Sequence, residues 1–116
     1  MSEIITLCDA WAFRRAYNKG KSYVSPELVT YIIKNKHNNL RIGITTGKKI
    51  GKAYMRSRAR RVIRAAYRDI FKNSEVLKSG FDIVFVARGK TPHLKSTALE
   101  KVVAKHLTES GLIKTK

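Results

Sequence analysis

Acidic residues are scarce in this chain of 116 residues. Eight Asp and Glu stand against 25 Lys and Arg, a formal net charge of +17 with a pI near 10.4. An imbalance of that size acts on partners and solubility rather than on fold, and nucleic acid is the expected partner. Cysteine is almost absent: Cys8 stands alone, so no internal disulfide can form, a reducing compartment fits, and the residue reads as structural rather than nucleophilic. Long apolar runs are missing too. The longest, Ile83 to Ala87, is far too short to cross a bilayer. Met1 to Trp11 lacks the apolar run of a signal peptide and carries Glu3 and Asp9, so a cytoplasmic protein is expected. No membrane partner is expected either, because the basic residues are mostly Arg on a helix whose apolar side is needed for a core, and no lipidation motif is visible.

Catalytic groups are as thin as the acids. His37, His93 and His106 are far apart and none belongs to an HExxH-type spacing. The acids include no close pair of the kind that a two-metal nuclease or an acid/base dyad uses. Gly47-Lys48-Lys49-Ile50-Gly51 precedes a helix as a phosphate loop does, but Gly51-Lys52-Ala53 does not supply the closing GK[ST] of the Walker pattern. No catalytic residue, no metal ligand and no small-molecule substrate is therefore assigned. If the protein takes part in catalysis, something else makes and breaks the bonds.

What the chain has is arginine, in one place. Arg56, Arg58, Arg60, Arg61, Arg64 and Arg68 fall within thirteen residues. At about 100° per residue, Arg56, Arg60, Arg61, Arg64 and Arg68 share an arc of roughly 140°, while Met55, Ala59, Val62, Ile63, Ala66 and Ile70 share roughly 100° on the other side, with Arg58 at the rim. One face can sit on a core while the other presents guanidinium groups able to grip phosphate with paired hydrogen bonds. From Arg41 to Lys72 there are eleven basic residues and one acid, Asp69, a net of +10. Exposed helices usually mix both signs, so this segment reads as a polyanion-binding face. Lys48, Lys49 and Lys52 converge on the helix start, where free backbone N–H groups favour anions.

With 43% hydrophobic residues the chain can bury a core, and its length suits a single domain, residues 1–116. Asp9 is a candidate N-cap for a helix from Ala10 to about Asn18, ended by Gly20, with Phe13 and Tyr17 on one face. Pro26 separates a short strand at Ser22–Val24 from a better one at Leu28–Ile33, on which Val29, Tyr31 and Ile33 share a side. Arg41 to Thr46 returns as a strand antiparallel to its predecessor. The arginine helix runs from about Lys52 to Phe71. Phe81 to Ala87 reads as a strand buried on both faces, followed by a loop over Arg88 to His93. A last helix, about Leu94 to Glu109, carries Leu99, Val102, Val103 and Leu107 as its stripe. The class is α+β with three helices and a four-stranded sheet in the order αβββαβα.

Three ordered blocks resemble one family. Arg41-Ile42-Gly43-Ile44-Thr45-Thr46-Gly47-Lys48-Lys49-Ile50-Gly51-Lys52-Ala53, followed by Arg56-Ser57-Arg58-Ala59-Arg60-Arg61-Val62-Ile63-Arg64, is similar to the signature of the protein component of bacterial ribonuclease P, R-N-R-x-K-R-x-x-R after a strand ending in S-K-K-x-G. Ser57 stands for its Asn and Arg60 for its Lys, and Thr46-Gly47 replaces the usual small pair. Phe13 to Ser22 resembles the family's F-x-x-[VA]-[FY]-x-x-G-x-S stretch, and Phe81 to Arg88 its D-[IV]-V-[IV]-x-A-R strand. The family's Asn before the second strand is replaced by Ser25-Pro26.

The resemblance implies a left-handed βαβ crossover, against the usual right-handed rule, and a function. The protein would bind the catalytic RNA of ribonuclease P and assist removal of the 5′ leader from precursor tRNA, with the RNA and magnesium ions held mainly by RNA and substrate doing the hydrolysis. Lys48, Lys49, Lys52, Arg56, Arg58, Arg60, Arg61, Arg64 and Arg68 would then meet the catalytic RNA. Phe13, Tyr17 and Tyr31 would line the leader cleft, where rings stack on unpaired bases without strong sequence demand. The alternative is a ribosomal-type or RNA-chaperone protein with no catalytic RNA partner.

Overall fold

The structure is a computed structural model that describes residues 4–7 and 9–115; Cys8, expected to be structural, lies outside the described residues. In chain order the elements are β1 (Ile4–Thr6), α1 (Ala10–Lys19), β2 (Lys21–Val24), β3 (Leu28–Lys34), β4 (Leu40–Thr45), α2 (Ala53–Asn73), β5 (Ser74–Val76), β6 (Phe81–Ala87), α3 (Ser96–Glu109) and β7 (Ile113–Thr115), with short 3-10 turns at Lys48–Ile50 and Thr91–His93.

The most apolar strand takes the middle. The main sheet runs β1-β4-β6-β3-β2, with β6 parallel to β4 and antiparallel to β3. Alternate residues of these strands point to opposite faces. Leu28, Ile32, Leu40, Ile42, Ile83 and Phe85 pack against Ala59, Ile63, Ala66 and Tyr67 of α2 and Leu99, Val103 and Leu107 of α3. On the other face, Val84 joins Ala12 and Ala16 of α1, with Phe13, Tyr31, Ile33 and Val86 at the margin of that smaller cluster.

Two expectations need correction. The sheet has five strands rather than four, because Ile4–Thr6 pairs in parallel with Leu40–Ile42 and covers the start of β4; β5 and β7 form a separate antiparallel pair. Three-residue strands are too short for alternation to reveal them. The second correction concerns β4, which runs opposite to β3 but does not pair with it, since β6 lies between. The connection at residues 35–39 wraps the start of β6: Asn35 N–H donates to Gly80 O (2.7 Å) and Gly80 N–H to Asn39 O (3.2 Å). Crossing two strand spacings, about 10 Å, is within reach of five residues. The β4–α2–β6 unit is thus a crossover between parallel neighbours.

Candidate nucleic-acid interface

The loop into α2 is shaped by Gly51, whose φ of 130° is open to glycine and strained for other residues. After it the chain turns into α2 at Lys52, which gives no side-chain cap. The first N–H groups of α2 therefore have no cap from that side chain and face a region where Lys48, Lys49 and Lys52 are all exposed, an arrangement that favours anions.

Along α2 the buried residues are Ala59, Ile63, Ala66, Tyr67, Ile70 and Phe71. Tyr67 and Phe71 extend the apolar stripe toward the arginine side, because Tyr67 stacks on Phe85 of β6 with ring centroids 5.8 Å apart. The arginines consequently do not form one open face. Arg56, Arg60 and Arg64 border the core and are half-buried, whereas Arg58, Arg61 and Arg68 are exposed. Arg60 donates to Thr46 Oγ1 at 2.7 Å, and Arg58 Nε donates to the Pro92 carbonyl across the gap to the second 3-10 turn. Arg58 and Arg61 share a groove of about 490 Å³ with Tyr54, Pro92 and His93. They also line a neighbouring cavity of about 520 Å³ with Leu94, Lys95 and Ser96 at the start of α3.

Tyr54, His93 and Lys95 thus belong to this surface, although sequence reasoning did not include them. Tyr54 is 68% exposed, an aromatic one turn before Arg58, and that spacing was a readable signal. His93 and Lys95 carried none, since only the fold brings them beside α2.

On the opposite face of the sheet, Phe13 and Tyr31 pack against the same small apolar cluster, and Tyr31 meets Tyr17. The rings of Tyr17 and Tyr31 lie edge to face with centroids 5.2 Å apart, and the Tyr17 hydroxyl is hydrogen-bonded to Thr45 Oγ1. Phe13 lies directly on Gly43: a Cβ there would come within 2.5 Å of the Phe13 ring. Phe13 is therefore a packed residue, while Tyr17 is 37% exposed. Phe13 of α1 and the arginine helix approach each other around β4, where Phe13, Ile44, Arg60 and Arg64 line one cavity of about 190 Å³.

Three carboxylates have side-chain partners. Asp82 is buried and accepts from Arg41 Nε and Nη2, both at 2.7 Å, and from Asn35 Nδ2 at 2.8 Å; the same pairing holds the Arg41 guanidinium above its ordinary pKa. The sequence suggested no close acid pair, yet α2 and α3 bring Asp69 beside Glu100. A hydrogen bond from the protonated Glu100 carboxyl to Asp69, then desolvation, raises the Glu100 pKa. Among the described residues no three His, Cys, Asp or Glu side chains converge.

These features can be set beside known proteins. The sequence model of the family described as Ribonuclease P matches residues 1–111. The chain belongs to the ribonuclease P protein family. Among its relatives, the "Ribonuclease P protein component" of Clostridioides difficile is 50% identical over 76 residues, 66% of this chain and 65% of that protein. That of Clostridium novyi is 40% identical over 102 residues, 86% of this chain and 88% of that protein. The RNase P protein of Thermotoga maritima superposes with a TM-score of 0.71 at 27% identity, covering 84% of this chain and 89% of that one. The Staphylococcus aureus RNase P protein shares the fold, with a TM-score of 0.78 at 23% identity over 95% of this chain and 98% of that chain. Among the described residues of this family member, no helix is long and apolar enough to cross a membrane.

Proposed function

We propose that this protein is the RNA-binding subunit of a cytoplasmic ribonuclease P ribonucleoprotein and that its two surfaces divide the work. The α2 arginines, with Lys48, Lys49 and Lys52, grip phosphates of the catalytic RNA; Arg56, Arg60, Arg64 and Arg68 recur at about 6 Å along the helix axis. The cleft of Phe13, Tyr17 and Tyr31 holds the unpaired 5′ leader of precursor tRNA, stacking on bases without reading them closely. Hydrolysis of the phosphodiester belongs to the RNA subunit, with magnesium held by RNA and substrate. The observation that carries this reading is the meeting of the two surfaces at β4, where Phe13 lines the same cavity as Arg60 and Arg64. A strand in the cleft would pass directly to the arginines.

The test is precursor tRNA cleavage at low magnesium by a bacterial ribonuclease P RNA, with and without the protein. Stimulation that requires the RNA supports the proposal. Cleavage by RNA-free protein would reveal a nuclease site of its own. No effect in either arm would favour a ribosomal-type or RNA-chaperone role.

A further inference from the structure

The sole tryptophan of the chain, Trp11, is 56% exposed, a large apolar area to leave in water on a ten-residue helix. Its place on α1 is informative. Ala12 and Ala16 face the sheet and are fully buried. Phe13 and Tyr17 project to one flank, toward Gly43, Thr45 and Tyr31. Trp11 and Arg15, one turn apart, project to the other flank and line a cavity of about 250 Å³ with Asn35, Lys36, His37 and Arg41. The width of α1, about 10 Å, separates this cavity from the leader cleft.

The polar groups around Trp11 fall into two sets. Asn35 and Arg41 form the fixed floor: Asn35 Nδ2 bonds Asp82, Asn35 Oδ1 accepts from His37 N–H at 2.9 Å, and Arg41 is ion-paired to Asp82. Asp9 also faces Arg41 electrostatically. Arg15 and Lys36 form the rim. Arg15 Nη2 donates to Lys34 O at 2.9 Å, which anchors the guanidinium while leaving its other N–H groups open. Among the described residues the one ion pair is Arg41–Asp82, so the rim cations have no acid salt-bridged to them. The cavity is below the roughly 300–1,000 Å³ of sites that engulf small molecules. It suits one unit of a polymer lying partly outside.

We infer that the Trp11 cavity is a second site for single-stranded RNA, on the far flank of α1 from the leader cleft. The indole offers a face for one unpaired base, and Arg15 and Lys36 meet the phosphates beside it. A π-face flanked by cations is the pairing by which proteins hold unpaired nucleotides with little sequence demand. The nucleotide comes either from the distal 5′ leader or from a single-stranded segment of the catalytic RNA; the chemistry is the same. The inference rests on the RNA-binding reading above.

Because Trp11 is the only tryptophan, its emission reports this cavity directly. A short oligoadenylate titrated into the full chain is expected to quench that emission saturably. Trp11→Ala should weaken binding, followed by anisotropy of a labelled oligonucleotide, by roughly five- to hundredfold, the span for removal of one base stack. Trp11→Phe should restore most of the affinity and Trp11→Leu should not, since only the former keeps a π-face. Tyr31→Ala, which alters the cleft, should leave the quench in place. Oligonucleotide binding with unchanged Trp11 emission would overturn the cavity site while leaving the RNA-binding reading intact. No binding at all would overturn both. In the reconstituted holoenzyme, quenching by catalytic RNA alone assigns the nucleotide to that RNA. Quenching that appears only with long-leader precursor assigns it to the leader, and an unchanged emission in both arms overturns the site.

Discussion

Single side chains set the local limits of this protein, and His106 shows how. It lies on α3, 1% exposed, with its ring nitrogens hydrogen-bonded to Thr30 Oγ1 and Ser25 Oγ, both at 2.8 Å. A neutral ring satisfies both hydroxyls, one nitrogen donating and the other accepting. Desolvation is the main cause that lowers its pKa from the ordinary value of 6.5. The unfolded chain therefore takes up the proton first as pH falls. Stability should be level above about pH 6.5 and erode below it, by at most about 1.4 kcal/mol per pH unit from this group. Urea unfolding as a function of pH should show that slope in the wild type and a smaller one in His106→Gln; equal slopes would mean other groups dominate. In the cleft, Phe13→Ala or Tyr31→Ala should weaken binding of leader-bearing precursor more than of mature tRNA. Equal losses would point to destabilisation, a real risk for Phe13 given its packing on Gly43.

For whole elements, periodicity was a good guide to existence and a weaker one to neighbours. The three helices and the strand Phe81–Ala87 lie where their patterns put them, to within about two residues. The arginine helix was less simply divided than its apolar residues suggested. Tyr67 and Phe71 can face either way by composition, and only their packing on each other and on Phe85 turns them inward. That packing draws Arg56, Arg60 and Arg64 to the border of the core. Arg60→Ala with Arg64→Ala should weaken catalytic-RNA binding and reduce the slope of log affinity against log salt, by about one for each phosphate that an arginine no longer neutralises. A slope unchanged from wild type would remove these residues from the phosphate-facing set.

At the scale of the molecule, a charge of +17 makes salt act in two opposite directions. Screening relieves self-repulsion in the folded state, and among the described residues only Arg41–Asp82 forms a salt bridge that screening could weaken. Raising salt from low to moderate levels should therefore raise the melting temperature of the free protein while weakening its binding to RNA. A melting temperature that falls with salt would show that favourable charge pairs outweigh the repulsion. The catalytic RNA, which the proposal has binding only the folded state, should stabilise the protein by mass action, most strongly at low salt.

The sequence by itself determined the class of partner and the three helices, because net charge, composition and 3.6-residue periodicity are properties of the chain that survive any arrangement of its elements. Its ordered motifs carried the family resemblance. Tertiary structure alone decided which strands are neighbours, since pairing depends on how residues 35–39 wrap the start of β6. It alone brought His106 between two hydroxyls and Asp69 beside Glu100. It also set Trp11 over a basic cavity that its neighbours in sequence do not announce. Each of these joins groups distant along the chain, and such meetings are fixed by packing rather than by local pattern.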